Sequence, residues 1–201
     1  EGKIDIPPTE KRRAGGVKYT DYVLKRFFEM AAKQKWYKNT LFVVVADHCA
    51  SSAGSTELPL DGYRIPCFIY ADFIPAQKID TLVSQIDVMP TVMGLLNFSY
   101  TSKFIGQDVL TADYQPRAYI ATYQDLGYLT PERLTVISPV KKVRQYDLRL
   151  EAEQPVGTEY PLYYSQEERK DLEERGVLEC IARYQSTSYW LKNQQLNASK
   201  K

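Results

Sequence analysis

The feature that most constrains the fold is an uninterrupted apolar run, Thr40–Ala46, which reads T-L-F-V-V-V-A and is rich in β-branched residues. A run of this length without polar alternation predicts a strand that is covered on both faces. A helical pattern precedes it, because apolar side chains over Val17–Trp36 recur at helical spacing opposite a charged face. A helix followed by a covered strand favours an α/β fold with a mostly parallel sheet flanked by helices.

The same pattern of strand and helix occurs once more along the chain. Ile65–Ala71 is a second apolar run, and Ser84–Leu96 has apolar residues at helical spacing. Pro90 is expected in the first turn of that helix, where its missing N–H costs least. Asp87 is expected to accept free N–H groups at the helix start, which is a structural role. We therefore assign residues 1–100 to the α/β part of the chain.

Beyond about residue 100 the pattern changes to short strands that indicate an antiparallel, half-exposed sheet. The strands are predicted at Ala118–Tyr123, Leu134–Ile137 and Lys142–Leu150. Glu151–Tyr164 is predicted as a loop. Ser165–Lys192 is predicted as a terminal helix, because Ser165 and Glu168 have the spacing of a capping box. Residues 101–201 are thus assigned to a C-terminal α+β subdomain with a small antiparallel sheet and a terminal helix.

Composition excludes several classes of protein. Lys and Arg number 26 against 25 for Asp and Glu, so no overall field would attract nucleic acid, and we expect no nucleic-acid partner. The three cysteines, Cys49, Cys67 and Cys180, have no C-x-x-C spacing, which indicates free thiols. The apolar runs are far shorter than the roughly 20 residues needed to span a bilayer.

The residues with the clearest chemical potential are Asp47 and His48, which directly follow the first predicted strand. Ligands of open α/β sheets bind beyond the carboxyl ends of the strands. An unpaired aspartate there would be costly, so it must accept hydrogen bonds or bind a cation. The mixed oxygen and nitrogen pair suits a transition metal such as Mn²⁺ or Zn²⁺. Alternatively, Asp47 caps the following turn and His48 is an ordinary loop residue.

His48 is the only histidine of the chain, so further metal ligands have to come from elsewhere. Four sequence blocks occur in one order: Tyr19–Tyr22 (Y-T-D-Y), Asn39–His48 (N-T-L-F-V-V-V-A-D-H), Tyr63–Tyr70 (Y-R-I-P-C-F-I-Y) and Ser84–Thr91 (S-Q-I-D-V-M-P-T). This series resembles the sulfatase and lipoteichoic acid synthase branch of the alkaline phosphatase superfamily. The resemblance covers residues 17–97. Gly106–Asp108 and Tyr123–Gly127 resemble bacterial membrane-anchored members more loosely.

The resemblance implies a partial alkaline-phosphatase-like sandwich, in which residues 1–100 are the C-terminal part of a sulfatase-like catalytic domain. Asp47 and His48 match the family's second pair of metal ligands. The resemblance places the first acidic ligand, the Thr or Ser nucleophile and the substrate-side histidine before Glu1. It also implies one divalent metal ion, with Mn²⁺ preferred and Mg²⁺, Zn²⁺ or Ca²⁺ as alternatives.

The implied function is that of a metal-dependent phosphoglycerol transferase or sulfatase-like enzyme acting on a phosphodiester or sulfate ester. Its partners would be the rest of the same enzyme and a lipid head group such as phosphatidylglycerol, or another phosphate or sulfate ester. The implied location is extracytoplasmic, periplasmic or at the cell surface, in a membrane-anchored bacterial protein. We expect the 201 residues alone to be catalytically inactive.

Two alternatives remain open. The first is a sulfatase or phosphodiesterase that releases its product to water. The second is a noncatalytic domain that binds glycan or protein through aromatic residues near the C-terminus: Tyr160, Tyr163, Tyr164, Tyr184, Tyr189 and Trp190. The noncatalytic alternative predicts that the Asp47 and His48 side chains lie in separate environments.

Overall fold

The computed structural model describes residues 13–49, 58–151 and 163–196. Its contacts divide the chain into two compact units, Glu1–Val44 with Phe68–Gln77 and Val45–Cys67 with Lys78–Lys201. The predicted domain boundary near residue 100 is a different division, and it stays a prediction. Within the described ranges, no helix is both long enough and apolar enough to cross a bilayer.

The first unit contains the predicted helix and most of two short strands. Helix α1 spans Arg13–Ala31, strand β1 spans Phe42–Val45 and strand β2 spans Cys67–Tyr70, and the two strands form a two-stranded sheet. The α/β pattern is therefore present, with each strand shorter than its apolar run. The helix begins four residues before its predicted start and ends five residues before its predicted end.

An aromatic cluster centred on Phe42 joins α1 to the sheet. Five rings have centroids within 6.3 Å of the Phe42 centroid: Phe27, Phe28, Trp36, Tyr37 and Tyr70. Phe42 therefore faces the helix, while Val43 and Val45 are exposed. The prediction that β1 is covered on both faces is wrong for the described residues, because only the helix side of the strand is covered.

The second unit is dominated by a five-stranded antiparallel sheet in the order β3-β4-β5-β6-β7. The sheet predicted as small is thus the larger one within the described chain. Helix α2 follows a 3₁₀ turn over Gln85–Asp87, and Pro90 is its third residue, as predicted. The remaining elements of the unit, in chain order, are α2 (Val88–Leu95), β3 (Ala118–Ala121), β4 (Leu126–Leu129), β5 (Arg133–Ser138), β6 (Lys142–Glu151), β7 (Tyr163–Glu168) and α3 (Glu174–Lys192).

An apolar core cluster lies on one face of the antiparallel sheet. It is formed by Leu58, Leu60, Ile120, Leu134, Val136 and Tyr146. Leu134 on β5 pairs with Tyr146 on β6, so two of the most buried side chains are cross-strand neighbours. The opposite face is also buried at its centre, where Tyr128, Thr135 and Gln145 lie beneath α3. The prediction of a half-exposed sheet is therefore wrong for the central strands, because α3 covers them.

The predicted start of the last helix at Ser165 is wrong. Ser165 lies in β7 and pairs with Arg149 of β6, because ladder hydrogen bonds along the whole of β7 outweigh one local capping pattern. The helix begins at Glu174 instead. The fully buried Gln145 side chain fixes that start, since its amide accepts from the Glu173 N–H at 2.6 Å and donates to the Glu173 carbonyl at 3.1 Å.

All three cysteines are free thiols, as predicted. Cys180 is fully buried under β5, and burial raises the pKa of its thiol to about 12. We expect Cys180 to resist modification in the folded protein, because the thiolate is the reactive form, whereas the exposed Cys67 reacts. Peptide mapping after brief labelling, with and without urea, tests this. Labelling of Cys180 in native protein as fast as that of Cys67 would contradict it.

Candidate metal centre

Asp47 and His48 lie directly beyond β1, where the chain leaves the sheet. The preceding residue is held in place, because the Ala46 N–H donates to the Pro66 carbonyl at 3.2 Å. Both side chains remain accessible, with 88% of the Asp47 side chain and 77% of the His48 side chain exposed. The position predicted from the apolar run is therefore confirmed, and both residues are open to a ligand.

The Asp47 and His48 side chains converge. Asp47 Oδ2 lies 3.6 Å from His48 Nε2, while Asp47 Oδ1 accepts the His48 backbone N–H at 3.0 Å. His48 Nδ1 lies 2.6 Å from the Cys49 carbonyl oxygen. Because a carbonyl oxygen only accepts, Nδ1 must carry the proton, which leaves the Nε2 lone pair of the neutral ring available. Metal-bound histidines have this arrangement, with one nitrogen hydrogen-bonded and the other coordinating.

The separation of these two donors fits a shared cation. Two ligands of a tetrahedral ion with bonds of about 2.1 Å lie about 3.4 Å apart, close to the observed 3.6 Å. Within residues 13–49, 58–151 and 163–196, no group of three or more His, Cys, Asp and Glu residues could hold a metal ion. The described chain thus offers two of the donors such an ion needs.

A third residue, Gln85, contacts the same segment and was not identified from the sequence. Its Nε2 donates to the carbonyls of Ala46 at 2.9 Å and Asp47 at 3.3 Å. Gln85 is the first residue of the turn that begins the second helix. The only signal in the sequence was its place in the block Ser84–Thr91.

Asp87, two residues further on, has the structural role predicted for it. It is fully buried, and it forms a two-pronged ion pair with Arg117, with both N–O distances 2.7 Å. It also accepts the Ser84 N–H at 3.0 Å, which completes a capping box. Burial raises the pKa of Asp87, but the hydrogen bonds from Arg117, Gln107 and Ser84 outweigh it, and the net pKa lies below its usual value.

The segment Gly106–Asp108 joins the same cluster. The Gln107 N–H donates to Asp87 Oδ1 at 2.8 Å, and the neighbouring Val109 N–H donates to Thr91 Oγ1 at 3.0 Å. The Asp108 carboxylate accepts the Leu110 N–H at 2.9 Å. This segment therefore holds the start of α2, and its contacts within the chain are structural.

An apolar groove of about 930 Å³ lies in the second unit beside α3. Tyr119, Tyr184 and Trp190 contribute to its lining. The Tyr184 hydroxyl donates to the Gly127 carbonyl at 2.9 Å, so this tyrosine helps to hold α3 on the sheet.

The remaining aromatic residues near the C-terminus lie outside this groove's lining or outside the described residues. The Tyr164 ring lies 5.3 Å from the Arg64 guanidinium carbon, and Tyr189 is exposed. Tyr160 lies outside the described residues, and Tyr163 is described only by its backbone.

Comparison with known proteins gives matches of three kinds. Residues 10–98 match the Sulfatase family model. A curated relative, the lipoteichoic acid synthase-like protein YvgJ of Bacillus subtilis (strain 168), is 29% identical over 122 residues, which cover 52% of this chain and 20% of the relative. A crystal structure of a protein in the alkaline phosphatase superfamily from Vibrio parahaemolyticus is 28% identical, with a TM-score of 0.83.

The structural match covers 100% of this chain and 47% of the Vibrio protein. The chain therefore spans less than half the length of either relative. The Sulfatase match includes β1, Asp47, His48 and the turn that carries Gln85 and Asp87. Together these matches confirm that the chain is similar, in sequence and in α/β fold, to the sulfatase and lipoteichoic-acid-synthase-like branch of the alkaline phosphatase superfamily.

Proposed function

We propose that this chain is the C-terminal portion of a metal-dependent phosphoglycerol transferase or sulfatase-like hydrolase, and that Asp47 and His48 form one side of its metal site. The observation that carries this is the convergence of Asp47 Oδ2 and His48 Nε2 at 3.6 Å, inside the segment that matches the Sulfatase family. The mixed oxygen and nitrogen donor set favours Mn²⁺, with Mg²⁺, Zn²⁺ and Ca²⁺ as alternatives.

Asp47 would supply negative charge to the site, and His48 would supply a neutral nitrogen donor. The hydrogen bond from His48 Nδ1–H to the Cys49 carbonyl keeps the ring in the tautomer whose Nε2 carries no proton. When bound, a divalent cation lowers the pKa of a nucleophilic hydroxyl and neutralises charge that develops on nonbridging phosphate or sulfate oxygens. The exposure of both side chains leaves room for a substrate and for further ligands.

The nucleophile, a Thr or Ser hydroxyl, and the remaining ligands are proposed to lie outside this chain, which spans less than half the length of either relative. The proposed substrate is a phosphodiester or sulfate ester, with a lipid head group such as phosphatidylglycerol as the donor. The proposed location is the extracytoplasmic side of a membrane-anchored bacterial protein. The similarity to a lipoteichoic acid synthase-like protein supports the transferase form of this proposal.

Substoichiometric Mn²⁺ is expected to broaden the amide NMR signals of Asp47, His48 and Cys49 most strongly, because a paramagnetic ion at Oδ2 and Nε2 lies nearest to them and the effect falls steeply with distance. This strongest broadening around one point is the selective effect. NMR detects this even when two protein ligands alone bind weakly. Asp47→Asn and His48→Ala should each abolish the selective effect. Asp113→Asn, which changes an exposed aspartate elsewhere in the second unit, should leave it intact.

Two outcomes would contradict the proposal. Broadening distributed over surface carboxylates, and unchanged in Asp47→Asn, would show that the donor pair does not bind the ion. A metal-dependent phosphodiesterase or sulfatase rate from the purified 201 residues would contradict a nucleophile outside this chain. The rate is expected to equal that of a blank without protein.

The noncatalytic alternative receives less support from the geometry. It predicts separate environments for Asp47 and His48, whereas their donor atoms converge. Transfer of the phosphate or sulfate group to a hydroxyl and its transfer to water would use the same two metal ligands, Asp47 and His48. The geometry therefore supports the transferase and the hydrolase equally.

A further inference from the structure

We infer that Gln85 is a positioning residue that holds the Asp47 and His48 donors in their converging geometry; the inference rests on the proposed metal site. Its side-chain amide donates to two successive carbonyls, those of Ala46 and Asp47. A carboxamide NH₂ group has two N–H donors, so one side chain can bond both carbonyls. Gln85 thus bonds to the two peptide groups that flank the Asp47 Cα and so restrains the backbone at the site.

The segment needs such a contact because burial does not fix it. The Asp47 and His48 side chains are mostly exposed, so packing against a core restrains them little. Their observed side-chain hydrogen bonds are local: Asp47 Oδ1 accepts the His48 N–H, and His48 Nδ1–H donates to the Cys49 carbonyl. Ordering a flexible loop on binding an ion costs conformational entropy, which an existing restraint removes beforehand.

The backbone of Ala46 is restrained at both its N–H and its carbonyl. Its N–H donates to the Pro66 carbonyl, and its carbonyl accepts from Gln85. The next carbonyl, that of Asp47, accepts from the same amide nitrogen. These bonds restrain the backbone torsions immediately before His48, and with them the direction of both donor side chains.

Gln85 is itself held by a rigid neighbour. It lies between Ser84 and Asp87, whose capping box fixes the turn, and Asp87 is locked by the buried ion pair with Arg117. A well-ordered turn thus presents the Gln85 amide to the loop. The buried cluster therefore orients an exposed site that it does not touch directly.

The test compares Gln85→Met with wild type. Methionine keeps the length of the side chain and removes both N–H donors. We expect Mn²⁺ to bind about tenfold more weakly, as is typical when a partner that orients metal ligands is removed. In metal-free protein, amide hydrogen exchange of Ala46 and His48, whose N–H groups are hydrogen-bonded, should accelerate, while the urea midpoint of unfolding stays unchanged. Gln124→Met, at an exposed glutamine beyond β3, is the matched control and should behave as wild type.

The outcomes separate this inference from the proposed function. If Mn²⁺ fails to broaden Asp47 and His48 in wild type, the metal-site proposal fails, and the inference fails with it. If wild type shows selective broadening and Gln85→Met shows the same affinity and the same exchange, the inference alone is overturned. A lower urea midpoint with exchange accelerated throughout the second unit would also overturn it, because that is the signature of a general structural role.

Discussion

Asp87→Ala is expected to destabilise the protein by about 3–5 kcal/mol, the usual cost of removing one partner from a buried ion pair. The side chains of Asp87 and Arg117 are 0% and 3% exposed, so the remaining guanidinium would have neither a counter-charge nor water. The substitution also removes the acceptor for the Ser84 and Gln107 N–H groups. Urea unfolding followed by circular dichroism measures the loss.

The matched control is Asp80→Ala. Asp80 pairs with Lys78 at 2.6 Å, but both side chains are exposed, and exposed ion pairs contribute at most about 1 kcal/mol. Equal losses of stability in the two variants would show that burial does not increase the cost of removing one partner from the Asp87 pair. Because Gln85 is two residues away, Asp87→Ala should also weaken the Mn²⁺ effect at Asp47 and His48.

Stability should also depend on Asp87 through pH. Burial raises the pKa of this carboxyl, but Arg117 and the backbone N–H donors lower it further, so the folded pKa lies below the unfolded value, which is about 3.9. Its contribution is therefore fully present above that unfolded value and is lost as pH falls through the folded pKa. Asp87→Asn should show a shallower loss of stability in this acid range, and an unchanged slope would refute the assignment.

Gly106→Ala is expected to cost about 3 kcal/mol or more, at the upper end for overpacking. A Cβ at this position would lie 2.0 Å from the Ile86 carbonyl oxygen and 2.6 Å from its carbonyl carbon. These are backbone atoms of the turn before α2, so no side-chain rotation relieves the clash. The segment would have to move away from the turn, and the Gln107 bond to Asp87 would lengthen or break.

Gly16→Ala is the matched control, measured by the same urea titration. Gly16 lies inside α1, and nothing lies within 4 Å of its added Cβ. Alanine there should stabilise the helix by about 0.5–1 kcal/mol, because glycine is unfavourable in a helix interior. If both substitutions change the free energy of unfolding by the same small amount, the close approach at Gly106 has no energetic weight.

Local patterns in the sequence were sufficient to predict where the first strand ends and the candidate site begins. The apolar run that ends before Asp47 predicted both the strand and the exit point, because length and lack of alternation are properties of a short segment. The role of Asp87 was also predictable, since a carboxylate three residues after Ser84 matches a helix start.

Contacts between distant segments could not be predicted in this way. Arg117 is 30 residues from Asp87, and Gln85 is 39 residues from Ala46, and neither residue type in isolation indicates its partner. The error at Ser165 has the same origin. A capping pattern four residues long competed with a ladder of six cross-strand pairs to β6, and the ladder is visible only once the register of the sheet is known.

The strands of the large sheet lie in the same order as in the sequence. Every strand from β3 to β7 hydrogen-bonds to the strand next to it in sequence. Contacts of this kind close short loops, which lose little entropy and form quickly. Such a meander can specify its own topology largely from within, so substitutions around Asp47 and His48 need not disturb the assembly of the later hairpins.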